Sequence, residues 1–167
     1  MFREMRRQGQ YLPENEVIDI LTNATSGTLA LMGDDGYPYA VPMSHLYRDG
    51  KLYFHCAGEG HKIDAVRRCD KASFCVIEQD KVYPEEFTTL FRSVIAFGRI
   101  RIMENMEEKI VALRALSDKF SPGFIERRER TIGESISHTC MLEMEIEHVT
   151  GKEALALAQN RLQKTEI

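Results

Sequence analysis

Apolar positions along the chain follow two spacings, one helical and one of period two, and the switches between them mark the elements. Pro13, with Glu14 and Glu16 behind it, reads as a helix start, because proline suits the first turn and acids complement the helix dipole. Val17, Ile20 and Leu21 continue at helical spacing, and the pattern fades between Asn23 and Gly27. From there the period is two. Residues 28–32 predict a short apolar strand, closed by the turn residues Gly33, Asp34, Asp35 and Gly36. Residues 37–47 predict a second extended segment. Pro38 and Pro42 interrupt it, which suits an edge, a bulge or backbone facing a ligand, since proline donates no hydrogen bond. Asp49-Gly50 is a hairpin signal, and residues 52–57 follow as a third strand, so a meander is expected.

Gly58, Glu59 and Gly60 then lead into a short helical stretch over 61–68. Residues 72–78 return to strand, with Phe74 and Val76 on one face and Cys75 and Ile77 on the other. A polar stretch around 79–86 contains Pro84. Residues 93–103 predict a long strand whose Gly98 marks a bulge or barrel corner. Asn105 is a good N-cap for a helix over 106–120, where Ile110, Leu113 and Leu116 form an apolar stripe. Ser121, Pro122 and Gly123 break it, and a polar helical turn runs on to about Arg130. Over 139–149 the alternation of Cys140, Leu142, Met144 and Ile146 with Met141, Glu143, Glu145 and Glu147 predicts a half-exposed strand. A last helix over 154–162 and a frayed end complete the chain.

Short antiparallel strands with inserted helices imply a mainly β fold, closed into a barrel so that no edge is left open. The 167 residues carry no repeat or linker, so one domain over 1–167 is expected, with an N-terminal helix near 13–23 and a C-terminal tail near 153–167. A net charge of −4 argues against a nucleic-acid coat, which needs a basic surface. The basic N-terminus has no apolar run behind it, so it is not a signal peptide, and no stretch approaches the roughly 20 apolar residues that span a bilayer. Cys56, Cys69, Cys75 and Cys140 show neither a CxxC pair nor zinc-like spacing, and read as core or surface thiols of a cytoplasmic protein. No metal site is expected.

The stretch from Tyr53 to Asp64 holds the most chemistry. A strand ends in a glycine bend that feeds a helix carrying His61 and Lys62. A helix start presents free N–H groups and partial positive charge, glycines allow close backbone approach, and Lys62 adds a fixed cation, so an anion such as phosphate is the fitting ligand. A strand, glycine loop and helix with a lysine is also a common structural join. Neither a P-loop nor a dinucleotide-binding glycine pattern is present. In Ala40-Val41-Pro42-Met43-Ser44-His45, a strand freed by Pro42 could set backbone groups and the Ser44 hydroxyl beside a flat ring, or simply be a bulged edge. His55 could act as acid, base or ligand, or be a packed strand histidine, and His45, His138 and His148 take the packed reading. No nucleophile motif occurs, which suits a cofactor that brings the chemistry.

Several blocks resemble one family. The opening Met1-Phe2-Arg3-Glu4-Met5-Arg6-Arg7, then Gly33-Asp34-Asp35-Gly36-Tyr37-Pro38-Tyr39-Ala40-Val41-Pro42, Phe54-His55, Gly60-His61-Lys62-Ile63-Asp64, Phe74-Cys75-Val76 and Phe91-Arg92-Ser93-Val94 are similar to the Nim-type 5-nitroimidazole-resistance proteins. Those belong to the pyridoxamine 5'-phosphate oxidase-like FMN-binding split barrels. The resemblance runs in order to about Glu147 and implies a six-stranded antiparallel split β-barrel that forms a homodimer with flavin at the subunit interface. By position, Val41, Pro42, Met43 and Ser44 would border the flavin ring. Phe54, His55 and Cys56 would run past the ring and ribityl chain, with Ala57 continuing the strand. His61 and Lys62, followed by Ile63, would meet the phosphate, and Arg92 and Ser93 would contribute across the interface. Cys56 stands where related sequences often carry serine. His55 or His61 is the candidate catalytic histidine, and the sequence does not choose between them.

The implied activity is FMN-dependent reduction of a small electron-poor substrate such as a nitroimidazole. The alternative is a binding protein for flavin or haem, with His55 or His61 as axial ligand. Pyridoxamine-phosphate oxidation itself is the third reading.

Overall fold

The computed structural model describes residues 2–165; Met1 of the opening block, and Glu166 and Ile167 of the expected tail, lie outside the described residues. In chain order the elements are α1 (Glu14–Asn23), β1 (Ser26–Met32), β2 (Pro38–Ser44), β3 (Leu46–Arg48), β4 (Lys51–Ala57), α2 (His61–Arg68), β5 (Lys71–Tyr83), β6 (Thr88–Ile102), α3 (Met106–Phe120), α4 (Ile125–Ser135), β7 (Thr139–Glu153) and α5 (Leu155–Thr165). No described helix is long and apolar enough to cross a membrane.

All described strands join one antiparallel sheet in the order β2-β1-β5-β6-β7-β4-β3. This corrects the expected six-stranded closed barrel: the sheet has seven strands, and its two edge strands are not hydrogen-bonded to each other. The extra strand arises because the segment over 37–47 breaks at His45 into β2 and β3. These two strands lie at opposite ends of the order yet are joined by that one residue, so the sheet curls until its edges are consecutive in the chain. The meander is corrected too, since β4 pairs not with β2 but with β3 and, from Lys51↔Glu145 to Ala57↔Thr139, with β7. Asp49 and Gly50 turn β3 into β4 with φ of 52° and 76°, the left-handed pair that a tight hairpin needs.

The inner face of the sheet holds the core. Leu29, Leu52, Phe54, Phe74, Val94 and Leu142 are fully buried, and Phe54 meets Phe74 edge-on at 5.1 Å. Val17, Ile20 and Leu21 of α1 and Ile63, Ala65 and Val66 of α2 pack into the same cluster. Each such side chain stabilises the fold by roughly 1.5–3 kcal/mol relative to exposure. A second cluster lies on the outer face, where Met103 and Met141 pack against Ala112 and Leu113 of α3 and Ile132 of α4. That cover corrects the half-exposed reading of β7 at two positions only: Met141 is fully buried and Glu143 is 7% exposed, while Glu145 and Glu147 are exposed as expected. Asn105 caps α3 as expected, its side chain accepting from the Glu107 and Glu108 amides at 2.9 and 3.1 Å.

Most of the polar stretch over 79–86 extends the strand expected over 72–78. β5 runs on to Tyr83 and pairs with β6 as far as Tyr83↔Thr88, making an extended arm. At its tip Phe87 has φ of 48° and is 99% exposed. The bulge expected at Gly98 is present as a register shift between Phe97 and Gly98.

His45, the residue between β2 and β3, is completely buried. Its Nε2 lies 2.8 Å from the Leu21 carbonyl, to which it donates, while Nδ1 has no partner among the described residues, so the ring is neutral. The Lys119 ammonium donates to the carbonyls of Ala24 at 2.6 Å and His45 at 3.0 Å. Burial, helped by the nearby Lys119 charge and opposed by the Leu21 bond, pushes the His45 pKa down to about 4. In the unfolded chain histidine titrates near 6.5, so between these values the unfolded state binds more protons. Stability should therefore be complete above about pH 6.5 and fall by about 3 kcal/mol as pH drops toward 4. Urea denaturation at stepped pH measures this. His45→Gln, whose amide can still donate to Leu21 but does not titrate, should flatten that part of the profile.

Candidate functional site

The sequence-derived site is built where β4 ends and α2 begins. Gly60 adopts φ of 109°, a conformation that side chains disfavour, and its carbonyl accepts from the Ile63 and Asp64 amides at 2.9 and 3.1 Å. Among the described residues no side chain caps this helix start. Ile63, Ala65 and Val66 bury one face of α2 and fix its direction, while His61 at its start remains exposed and Lys62 half-buried. The first turn is thus a rigidly held, uncapped set of N–H donors beside an ammonium group, the elements of an anion site.

His61 is tied to the β1–β2 hairpin. Its ring stacks on Tyr39 with centroids 4.1 Å apart, and its Nε2 lies 3.5 Å from an Asp34 carboxylate oxygen. The Arg68 Nη1 donates to the other Asp34 oxygen at 2.5 Å. That hydrogen bond, joined by the charges of Arg68 and His61, holds the Asp34 carboxyl below its usual range against the opposing effect of burial. Gly33 permits this closeness, because a Cβ there would sit 2.7 Å from the Tyr37 carbonyl and 3.6 Å from His61 Nε2. Asp34, Tyr39 and Arg68 were not among the residues expected from sequence. Asp34 and Tyr39 stand in a block that carries the family resemblance, but no site role was read for them, and nothing linear joins Asp34 to a histidine many residues on.

The other expected residues divide by face. Pro42 and Ser44 lie exposed on edge strand β2, and Met43 turns into the core with Val41 half-buried beside it. The edge position accounts for Pro42, which has no amide to pair. Phe54 and Ile63 are buried, so backbone and support are what they can offer a ligand. His55 and Ala57 are exposed on the outer face of β4, His55 opposite Met141 and without a side-chain hydrogen bond or ion pair among the described residues. Cys56 faces inward against Cys140.

Arg92 is drawn elsewhere. Its guanidinium pairs with Glu16 and lies 3.7 Å from Glu78 and 3.6 Å from Glu153, which Arg161 also contacts at 2.8 Å. It lines a cavity of about 470 Å³ with Glu16, Asp19, Thr25 and Ile77. Ser93 pairs with Ile77 on one side and Lys152 on the other. Neither residue is joined to the α2 start within this chain.

A further polar cluster escaped the sequence reading. The Glu143 carboxylate is held by Lys51 at 3.2 Å and Arg101 at 2.9 Å under α3. Burial opposes its ionisation, but these two cations outweigh burial and keep it charged. Burial and the adjoining Glu143 charge push the Tyr53 phenol up to about 12. These residues line a cleft of about 520 Å³ whose apolar wall includes Leu46 and Val111.

Comparison with known proteins places the fold. The crystal structure of a protein named for 5-nitroimidazole antibiotic resistance, from Bacteroides thetaiotaomicron, aligns at 21% identity and TM-score 0.69, covering 84% of each chain. The flavocytochrome Anf3 from Azotobacter vinelandii aligns at 21% identity and TM-score 0.78, over 91% of this chain and 72% of its own. An FAD and heme binding protein from Mycobacterium smegmatis aligns at 23% identity and TM-score 0.76, over 88% of this chain and 74% of its own. These likenesses establish a shared fold. No curated protein sequence matches the chain significantly. The family described as pyridoxamine 5'-phosphate oxidase matches residues 13–153, which spans all seven strands. By that match the chain belongs to the pyridoxamine 5'-phosphate oxidase family.

Proposed function

We propose that this chain is an FMN-binding split-barrel flavoprotein, a cytoplasmic homodimer with flavin at the subunit interface, that reduces a small electron-poor molecule such as a nitroimidazole. The observation that carries the proposal is the uncapped start of α2 beside Lys62, next to a glycine bend. It suits a phosphate monoester, whose charge the first-turn amides and the ammonium would share. Family membership supports the same reading, as do the flavin-binding proteins from A. vinelandii and M. smegmatis that share the fold.

When bound, flavin supplies hydride-transfer chemistry that no side chain here provides. The chain's own part is to hold and orient. Lys62 and the α2 amides would grip the phosphate. The free edge of β2, opened by Pro42 and carrying the Ser44 hydroxyl, would offer backbone donors and acceptors to the polar rim of a flat ring. His61, positioned by the Tyr39 ring and by the Asp34 carboxylate 3.5 Å from its Nε2, would be one group able to exchange a proton with bound substrate. His55, open to solvent, is the other group able to move a proton to reduced substrate. With protein-bound FMN reduced under anaerobic conditions, adding a 5-nitroimidazole should reoxidise the flavin as nitro absorbance is lost. Flavin that stays reduced would contradict the reductase assignment.

The outer face of the sheet supports a dimer. Across β2, β1, β5 and β6 it presents Pro42, Thr28, Ala30, Ser73, Cys75 and Ile95, with no charge among them. An uncharged patch of this kind is what a subunit interface buries. Ile95, 38% exposed, pairs with Cys75 on one side and Thr150 on the other. Ile95→Lys should convert a dimer to monomer in light scattering, since an unpaired ammonium would be buried on association; an unchanged dimer would mean that another face is used.

His55 also favours a second reading, in which its exposed imidazole, free of ion pairs among the described residues, binds haem iron. A Soret band on haem titration that His55→Ala abolishes would support it; no band would exclude it.

A further inference from the structure

We propose that Cys56 and Cys140 form a reversible disulfide site at the point where β4 leaves the sheet for the glycine bend. The two residues are direct register partners in the β4–β7 pair, one step before its last pair, Ala57↔Thr139. Both belong to the inner-face cluster, so their side chains leave the sheet on the same side, and the hydrogen bond of the Cys140 thiol goes to the Met141 carbonyl at 3.8 Å. Directly opposed residues of an antiparallel pair have Cα atoms about 4.5–5.5 Å apart, inside the range of about 4.4–6.8 Å that a disulfide spans. The Cα separation of such a pair is therefore within disulfide reach. Cys69 and Cys75, also free, do not face another cysteine in the sheet register.

A peroxide is the chemical class of oxidant that fits. The thiolate of half-buried Cys56 attacks one peroxide oxygen, the O–O bond breaks, and hydroxide leaves to give a sulfenic acid. Cys140 then attacks that sulfur and displaces the hydroxyl group as a second water. Two thiols are oxidised to one disulfide, and one hydrogen peroxide is reduced to two waters. Burial raises both thiols, Cys56 to about 11, with Lys62 opposing the rise. The site is accordingly a slow one, closed under sustained peroxide and reopened by thiol reductants. Below that pKa its rate should rise about tenfold per pH unit, with the thiolate fraction.

Closure would tether the end of β4 to the start of β7 beside Gly58, whose own bend faces the His138 carbonyl. It would also close a long stretch of chain, which raises the melting temperature by roughly 5–10 °C if native geometry is kept.

The test uses the full chain without added cofactor, so its outcome is independent of flavin binding. After treatment with hydrogen peroxide, proteolysis and mass spectrometry should recover a peptide joining Cys56 to Cys140, absent after dithiothreitol treatment. The C69S/C75S double variant should still form it and show the raised melting temperature; Cys56→Ser should show neither. Recovery of Cys56 and Cys140 on separate peptides, as thiols or sulfinic acids, would overturn the proposal, as would links from either residue to Cys69, Cys75 or a second chain.

Discussion

Gly98→Val should leave the chain largely unfolded or destabilise it by roughly 3 kcal/mol or more, because the added atoms meet fixed backbone. A Cβ at position 98 would lie 1.9 Å from the Glu145 carbonyl oxygen and 2.9 Å from its carbon. Neither is the far end of a flexible side chain. The clash falls at the bulge between Phe97 and Gly98, where β6 and β7 shift register in the middle of the sheet. Relief would require the two strands to separate, and β7 also carries β4. Gly133→Ala offers the contrast. That glycine lies within α4 with nothing near its would-be Cβ, so alanine there should stabilise by up to about 1 kcal/mol. Chemical denaturation of the two variants should therefore move in opposite directions. If Gly98→Val unfolds at the wild-type midpoint, β6 and β7 do not pair in this register.

Lys62→Ala should weaken FMN binding by roughly 10- to 100-fold while leaving the fold intact. A hydrogen bond to a charged group contributes about 1.5–3 kcal/mol, and each 1.4 kcal/mol is a factor of ten. The half-buried Lys62 precedes the buried Ile63 and is not itself part of the core, so its removal deprives the site of charge without opening a cavity. Lys62→Arg should recover part of the affinity, since it restores charge at a different reach. A melting temperature equal to wild type, measured beside the flavin titration, separates lost binding from lost structure. Unchanged affinity would place the phosphate somewhere other than the start of α2.

Much of the fold was legible because local chemistry and burial agree. Pro13, Asn105 and the Asp49-Gly50 pair all act where they were read, since caps and tight turns depend on a few adjacent residues. The misses come from contacts made far along the chain. His45 looks like one more position in an extended run, yet its burial under α1 and its bond to Leu21 break that run in two. Gln79, Asp80 and Lys81 alternate no apolar residues, because the arm they belong to stands clear of the core. Glu143 reads as solvent-facing until α3 closes over it.

The candidate site divides the same way. A glycine bend followed by Lys62 is a local pattern, so sequence reaches it. The Asp34 and Tyr39 partners of His61 arrive only when the β1–β2 hairpin folds against α2. Arg92 was expected to serve a neighbouring subunit. Within its own chain it is occupied by Glu16, Glu78 and Glu153, acids brought to it from α1, β5 and β7.

The central claim is that flavin binds where the bend after β4 meets α2. The absorbance spectrum of the purified chain, recorded before and after adding FMN and desalting, tests it most directly. Retained two-banded flavin absorbance, at one flavin per chain, is the expected result. A colourless protein that retains no added FMN would contradict it.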